Sequence, residues 1–366
     1  MTLPMTLPMT LPMTERLTGP VEVVGAGLLG TSIALACRRA GIDVLLTDTS
    51  VENLRTASGL GAGRPRAEGD VPQLVVVAVP PDHLGAEIAR ALAASDAVVT
   101  DVGSIKSEPL RAVAAEPGLA RYVGGHPMAG SERSGPLAAS AALFDGRPWA
   151  VTPHPTSSEE AVGLVDELAR LCGAVPVLLT PEEHDKAVAR TSHLPHLLAV
   201  LVAGRLADAP PEHLALSGQG VRDVTRVAGG DPALWEQIVT GNSEAVLGLL
   251  DEVRGQLDVL IAAVSSGARD DLGALLARGV AGTRAIPGKH GGPTRPTRSV
   301  FVSVPDNPGE LARLFADAGA SGINIEDVHI DHDPGRPVGL VELLVEEAGA
   351  EHLLGSLESR GWVTHR

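Results

Sequence analysis

Aromatic side chains are scarce in this chain of 366 residues, which holds three Phe, three Trp and one Tyr. Any core must therefore be built from Ala, Leu and Val, and stacking platforms for single-stranded nucleic acid are in short supply. Cysteine is scarcer still: Cys37 and Cys172 stand far apart and give neither a metal-ligand spacing nor a disulfide framework. They read as core thiols of a protein in a reducing, cytoplasmic compartment. No stretch approaches the ~20 uninterrupted apolar residues of a membrane-spanning helix. Basic residues are outnumbered, 29 against 45 acidic ones, for a net charge of -16. Such a field repels phosphate backbones and anionic lipid, which argues against nucleic-acid and membrane partners; a local arginine cluster can still receive an anionic substrate.

What the chain does have is 42 Gly, 28 Pro and 44% hydrophobic residues, the profile of a globular protein with many turns and length for two or three domains. Its first fourteen residues, MTLPMTLPMTLPMT, repeat a proline-bearing tetrapeptide without a basic start or a long apolar run. Residues 1–18 read as a disordered tail rather than a secretory signal.

From residue 19 to 180, short apolar runs alternate with helical patterns. Val21–Val24, Val44–Thr47, Leu74–Val79, Ala97–Thr100, Trp149–Thr152 and Val175–Leu179 are the expected strands, with a helix near 157–171. This is an α/β, Rossmann-type doubly wound domain around a parallel sheet. From 181 to 280 the pattern turns all-helical. Asp231-Pro232 is a strong helix start, and Val246, Leu249, Val253, Leu257, Leu260 and Val264 form a stripe that needs a partner surface, within the chain or in a dimer. Residues 281–298 read as a linker, and 299–366 give a β-α-β-β-α-β order, the small α+β ferredoxin-like fold.

Gly25, Gly27 and Gly30 follow the first strand and open a helix, and Asp48 lies at the end of the second strand, 18 residues after Gly30. Those glycines let backbone approach a pyrophosphate at a helix N-terminus, with Leu28 and Leu29 in the turn. Asp48 would accept hydrogen bonds from the adenosine ribose and repel a 2′-phosphate, which favours NAD over NADP.

Four further stretches place polar residues where such a fold puts its active site. They are DVGSIK (Asp101, Ser104, Lys106), HPMAGSERSG from His126, SHLPH (Ser192, His193, His196), and RDVTR (Arg222, Asp223, Arg226). His126, after two glycines and before a proline, reads as a loop residue. In SHLPH, Pro195 interrupts a helical run. Asp223 can hold Arg226 at helical spacing while leaving its guanidinium available to a carboxylate. No acid or cysteine near the histidines completes a metal site.

In this order and spacing, GAGLLG, DVGSIK, HPMAGSERSG, SHLPH and GQGVRDVTRVAGGDPALW resemble the prephenate dehydrogenase family of tyrosine biosynthesis, from about residue 20 to 280. The resemblance implies oxidative decarboxylation of prephenate by NAD. His126 would take the C4 hydroxyl proton, a task for which histidine has a suitable pKa, while Ser104 orients it and the nicotinamide. Arg226 would pair with the ring carboxylate. Ser192, His193 and His196 would align the substrate, Arg222 would face its side chain, and Glu132 would gate the pocket, with Trp235 supporting its wall. Residues from 299, with DNPGEL and GINI, resemble an ACT domain, which implies a regulatory amino acid, tyrosine by pathway logic, held near Asp306, Asn307, Gly309 and Asn324. Alternatives are arogenate as substrate, a regulatory module that only supports assembly, and a non-catalytic amino-acid sensor.

Overall fold

The computed structural model describes residues 16–130, 133–286, 296–332 and 338–365. Strands β1 (Val21–Val24), β2 (Val44–Thr47), β3 (Arg64–Pro65), β4 (Leu74–Val77) and β5 (Val98–Asp101) alternate with helices α1 (Leu28–Arg39), α2 (Val51–Gly59) and α3 (Pro81–Ala94). The strands form one parallel sheet in the order β3-β2-β1-β4-β5. Strands β1, β4 and β5 are buried at every position; β4 reads as an unbroken apolar run, whereas β1 buries Glu22 and β5 ends on the buried Thr100 and Asp101. The order reverses between β1 and β4, so a crevice opens beyond the carboxyl ends of these two strands.

The parallel sheet stops at β5. After α4 (Ser107–Ala112), β6 (Gly124–Pro127), β7 (Pro148–Thr152) and β8 (Val175–Leu178) form a second, three-stranded sheet, with α5 (Glu159–Leu171) between the last two. A single parallel bridge, Val99 to Tyr122, joins the two sheets. Strand β6 runs antiparallel to β7 because the described chain between them holds only a 3-10 turn, Pro136–Ala138; a parallel pair would need a full crossover helix. The distant Cys37 and Cys172 meet here, both fully buried. A hydrogen bond with Cys37, together with burial, pushes the Cys172 thiol well up.

The helical part comprises α6 (Pro181–Val188), a π-helical turn at Ala189–His193, α7 (Leu194–Gly204), α8 (Pro211–Leu214), α9 (Gln219–Arg226), α10 (Pro232–Gly241), α11 (Ser243–Ser266) and α12 (Arg269–Arg284). Asp231 caps α10 as its sequence predicts, accepting the Ala233 amide at 3.0 Å. The apolar stripe of α11 divides: Val246 and Leu249 are buried with Ala189 and packed against by the half-buried Leu194 and Leu197, whereas Leu257, Leu260 and Val264 are exposed. Helix α12 overruns the expected linker start at 281 by four residues, through Arg284. Compact units span Met1–Leu257 and Asp258–Arg366.

Within the second unit, β9 (Thr297–Pro305), α13 (Glu310–Gly319), β10 (Ile325–His332), β11 (Val338–Glu346), α14 (Glu347–Ser359) and β12 (Val363–His365) build an antiparallel sheet in the order β10-β11-β9-β12, the ferredoxin-like arrangement. Val300, Val302, Leu314, Val341, Leu343, Leu353 and Leu357 are its core. Among the described residues, no helix is long and apolar enough to cross a membrane.

Candidate active site

The turn from β1 to α1 is shaped by two glycines and left open by a third. Gly25 has φ +101°, and a Cβ there would meet the Ala78 carbonyl oxygen at 2.3 Å; one on Gly30 would meet the Gly25 carbonyl oxygen at 1.9 Å. Gly27, at the N-cap of α1, faces open space and offers no side-chain cap, so the leading amides of the helix point outward beside it. This is a cradle fit for a pyrophosphate. Asp48 braces the turn: its Oδ2 accepts the Ala26 amide at 2.5 Å and its Oδ1 the Ser50 amide at 2.6 Å. Each oxygen retains further acceptor capacity for a ribose diol.

His126 is a strand residue. It lies in β6 opposite Ala150, and the glycines before it serve packing rather than a loop. A Cβ on Gly125 would stand 2.8 Å from the Asp101 carbonyl oxygen, and one on Gly124 would stand 2.5 Å from Thr152 Oγ1. The bare backbone therefore presses against the carboxyl end of β5 and delivers the half-buried His126 ring just beyond it.

Below that point lies a buried ion pair. Lys106 Nζ contacts both carboxylate oxygens of Asp101, one of them at 2.5 Å, and the Tyr122 hydroxyl adds a hydrogen bond at 3.2 Å. Burial pushes the Asp101 carboxyl up and the Lys106 ammonium down, and their attraction opposes both shifts.

The partner of His126 comes from α6, in a stretch that sequence reasoning passed over. His126 Nδ1 lies 2.9 Å from His184 Nε2, and His184 Nδ1 lies 2.9 Å from Asp185 Oδ1. Asp185 also accepts the backbone amides of Lys106 and Ser107, each at 2.8 Å, tying α6 to the loop after β5. Burial pushes both histidines below their ordinary range, His126 far below it. Burial also pushes the Asp185 carboxyl up, but hydrogen bonds from His184, Ser107 and Lys106 outweigh this and hold it low. Adjacent His and Asp after a Thr180-capped helix start were the available signal, hidden because nothing in their spacing separates them from a solvated helix face.

Asn242 carries the network onward, donating to the Asp185 backbone oxygen at 2.8 Å and standing 3.3 Å from His193 Nδ1. Burial lowers the His193 pKa to about 4. Pro195 does not break the helix: the chain widens into the π turn, and the proline falls in the first turn of α7, where its missing N–H is tolerated. His193 and His196 are both buried, and Trp235 meets both rings, edge-on to His193 and stacked on His196.

Ser104 is half-buried between β5 and α4, and among the described residues the hydrogen-bond partner at His126 Nδ1 is His184, not Ser104. Ser192 is half-buried in the π turn, while Arg222 and Arg226 are exposed on α9, which packs on α7. Gln219, at 2.9 Å, takes the Asp223 carboxylate that sequence spacing offered to Arg226. Glu132 lies outside the described residues. In the second unit Asp306, Asn307 and Gly309 share the exposed turn before α13, but Asn324 lies past its other end, separated by ten helical residues, roughly 15 Å at 1.5 Å each. One copy of the module does not bring these four together.

A switch-point crevice with a glycine cradle, flanked by a strand-borne histidine, defines a dinucleotide-fold dehydrogenase with a helical second half. The family model for the nucleotide-binding domain of prephenate dehydrogenase matches residues 33–178, and that for its dimerization domain matches residues 180–278. A probable prephenate dehydrogenase, NovF of Streptomyces niveus, is 38% identical over 354 residues, covering 93% of this chain and 98% of that protein. The crystal structure of prephenate dehydrogenase from A. aeolicus in complex with hydroxyphenyl propionate and NAD+ is similar with a TM-score of 0.66 and 30% identity, over 73% of this chain and 98% of that one. Synechocystis arogenate dehydrogenase gives a TM-score of 0.60 and 27% identity, over 70% and 96%. The chain belongs to the prephenate dehydrogenase family.

Proposed function

We propose that this protein is an NAD-dependent dehydrogenase that converts prephenate to 4-hydroxyphenylpyruvate and CO2 in tyrosine biosynthesis, in the cytoplasm. The observation that carries the reading is His126, kept neutral by burial and delivered beyond the carboxyl end of β5. NAD, when bound, supplies the hydride acceptor. Gly25, Gly27, Leu28, Leu29 and Gly30 hold its pyrophosphate through backbone, and Asp48 takes the ribose.

His126 removes the proton of the C4 hydroxyl as the hydride leaves that carbon, with Ser104 orienting this histidine and the nicotinamide, and the C1–carboxylate bond then breaks with its electron pair entering the substrate ring. The same proton returns from His126 to the phenolate oxygen, so the histidine ends as it began. Arg226 positions the ring carboxylate, Arg222 faces the pyruvyl carboxylate, and Ser192, His193 and His196 fix the ring. A tight grip on the departing carboxylate would oppose its loss, so the contribution of Arg226 is positioning.

Support for a homodimer comes from the apolar exposure of Val200, Leu201 and Val202 on α7 and of Leu257, Leu260 and Val264 on α11. Residues 299–366 are proposed as an ACT-like module that takes tyrosine. Because α13 separates Asp306, Asn307 and Gly309 from Asn324, that site needs two modules.

The test is reduced-cofactor absorbance with purified protein, prephenate or arogenate, NAD or NADP, with and without tyrosine. Prephenate with NAD is expected to give the highest kcat/KM. A higher value with arogenate replaces the substrate, and no turnover with either removes the reading.

A further inference from the structure

We propose that Asp185 and His184 fix the tautomer of His126, placing its proton on Nδ1 and a lone pair on Nε2, so that the ring is a proton acceptor before substrate arrives. This rests on the reading of His126 as the group that takes the substrate proton.

Hydrogen-bond bookkeeping forces the direction. Two backbone amides, Lys106 and Ser107, already donate to the Asp185 carboxylate, one to each oxygen, so this group is an acceptor throughout. His184 Nδ1, at 2.9 Å from the same carboxylate, must donate to it. A neutral His184 then has only a lone pair at Nε2, and the His126 nitrogen 2.9 Å away must donate into it. With its proton committed to Nδ1, neutral His126 is left with an unprotonated Nε2.

The condition is that both rings stay neutral. The charged and titratable groups facing them are Lys106 from the α4 side, Asp101 from β5, His193 from the π turn and Asp185 from α6. Burial leads the downward shift of both histidines, and the positive Lys106 adds to it. When Nε2 accepts a proton, no second proton has to leave: the new imidazolium keeps its Nδ1–H on His184, and the Asp185 carboxylate lies one ring further on to stabilise the charge. His184 and Asp185 touch neither substrate nor cofactor in this scheme; they are positioning residues.

The experiment is histidine-selective 15N NMR on the full chain without substrate, with the His126 resonances identified by their loss in His126→Asn. The expected pattern is a protonated Nδ1 and an unprotonated Nε2 at neutral pH; a protonated Nε2 overturns the proposal. A kinetic arm compares His184→Leu, which removes the acceptor, with His184→Gln, whose carbonyl can still receive the Nδ1 proton. Leu is expected to lower kcat about 10²-fold with little change in KM, and Gln to restore at least about 10-fold of that, within the range by which general bases accelerate reactions. Equal kcat in the two folded variants, or a loss confined to KM, counts against the relay. If His184→Leu does not fold, the wild-type spectrum still decides. Should the wild type oxidise neither cyclohexadienol, the functional reading fails while the NMR pattern alone judges the tautomer.

Discussion

His196 and Trp235 lie face to face, with ring centroids 3.5 Å apart and planes 7° from parallel. The stack exists because residue 230 has no side chain: a Cβ on Gly230 would fall 2.4 Å from Trp235 Nε1 and 3.4 Å from His196 Cε1. Gly230→Ala should therefore displace the indole, cost about 1–3 kcal/mol as overpacking does, and raise KM by misplacing His196. Urea denaturation followed by tryptophan fluorescence, with steady-state kinetics alongside, measures both; unchanged midpoint and KM would contradict the contact.

Two glycines of the cofactor turn, Gly27 and Gly30, should separate by role. Gly30→Ala drives a Cβ into the Gly25 carbonyl and should lower Tm, whereas the Cβ of Gly27→Ala meets nothing in the protein and should leave Tm unchanged. The Gly27 variant should instead lose NAD affinity by roughly 10-fold or more, about 1.4 kcal/mol or above. Titration calorimetry and a thermal melt on the same samples distinguish the two.

Breaking the buried pair should be costly and reparable. Lys106→Met removes the counter-ion of Asp101 in a site with almost no solvent exposure and leaves the carboxylate only the Tyr122 hydroxyl and the Gly103 amide, which is expected to cost about 3–5 kcal/mol. The double variant Lys106→Met, Asp101→Asn should recover much of this, and a double-mutant cycle in urea reads the coupling. Additive losses would show the pair to be energetically independent.

Stability should fall with acid before carboxylates protonate. His126, His184 and His193 have native pKa values below the 6.5 of an unfolded histidine, His193 at about 4. Between these limits the unfolded chain binds protons that the native chain refuses, so stability is full above about pH 6.5 and declines as pH drops toward 4. Each such histidine contributes up to about 1.4 kcal/mol per pH unit. Melts at pH 7.5 and 5 should show a lower Tm at pH 5; a rise would invert the sign.

His126→Asn should lower kcat about 10²–10⁴-fold, the range of a general base, with KM little changed, while Arg226→Ala should mainly raise KM. The wild-type kcat should stay level to below pH 6.5, because burial keeps His126 neutral there. A kcat that halves at pH 6.5 would indicate a solvated histidine.

Local chemistry explains what could be read directly. The buried parallel strands, the Gly25-Gly27-Gly30 turn, the Asp231-Pro232 cap and the β-α-β-β-α-β order each rest on residues close in sequence, where periodicity and turn preference act. His126 shows the limit: flanking glycines suggested a loop, but their function is to admit Asp101 and Thr152, residues about 25 positions away on either side.

The sequence by itself determined the strand and helix alternation, the cofactor turn, the family and the histidine on which the proposed chemistry turns. Only the tertiary structure decided what that histidine touches. His184 and Asp185 stand 58 and 59 positions downstream, on a helix whose charge pattern resembles any solvated face. The direction of a hydrogen-bond chain depends on every donor that reaches its last acceptor, and those donors, the amides of Lys106 and Ser107, are brought to Asp185 by packing alone.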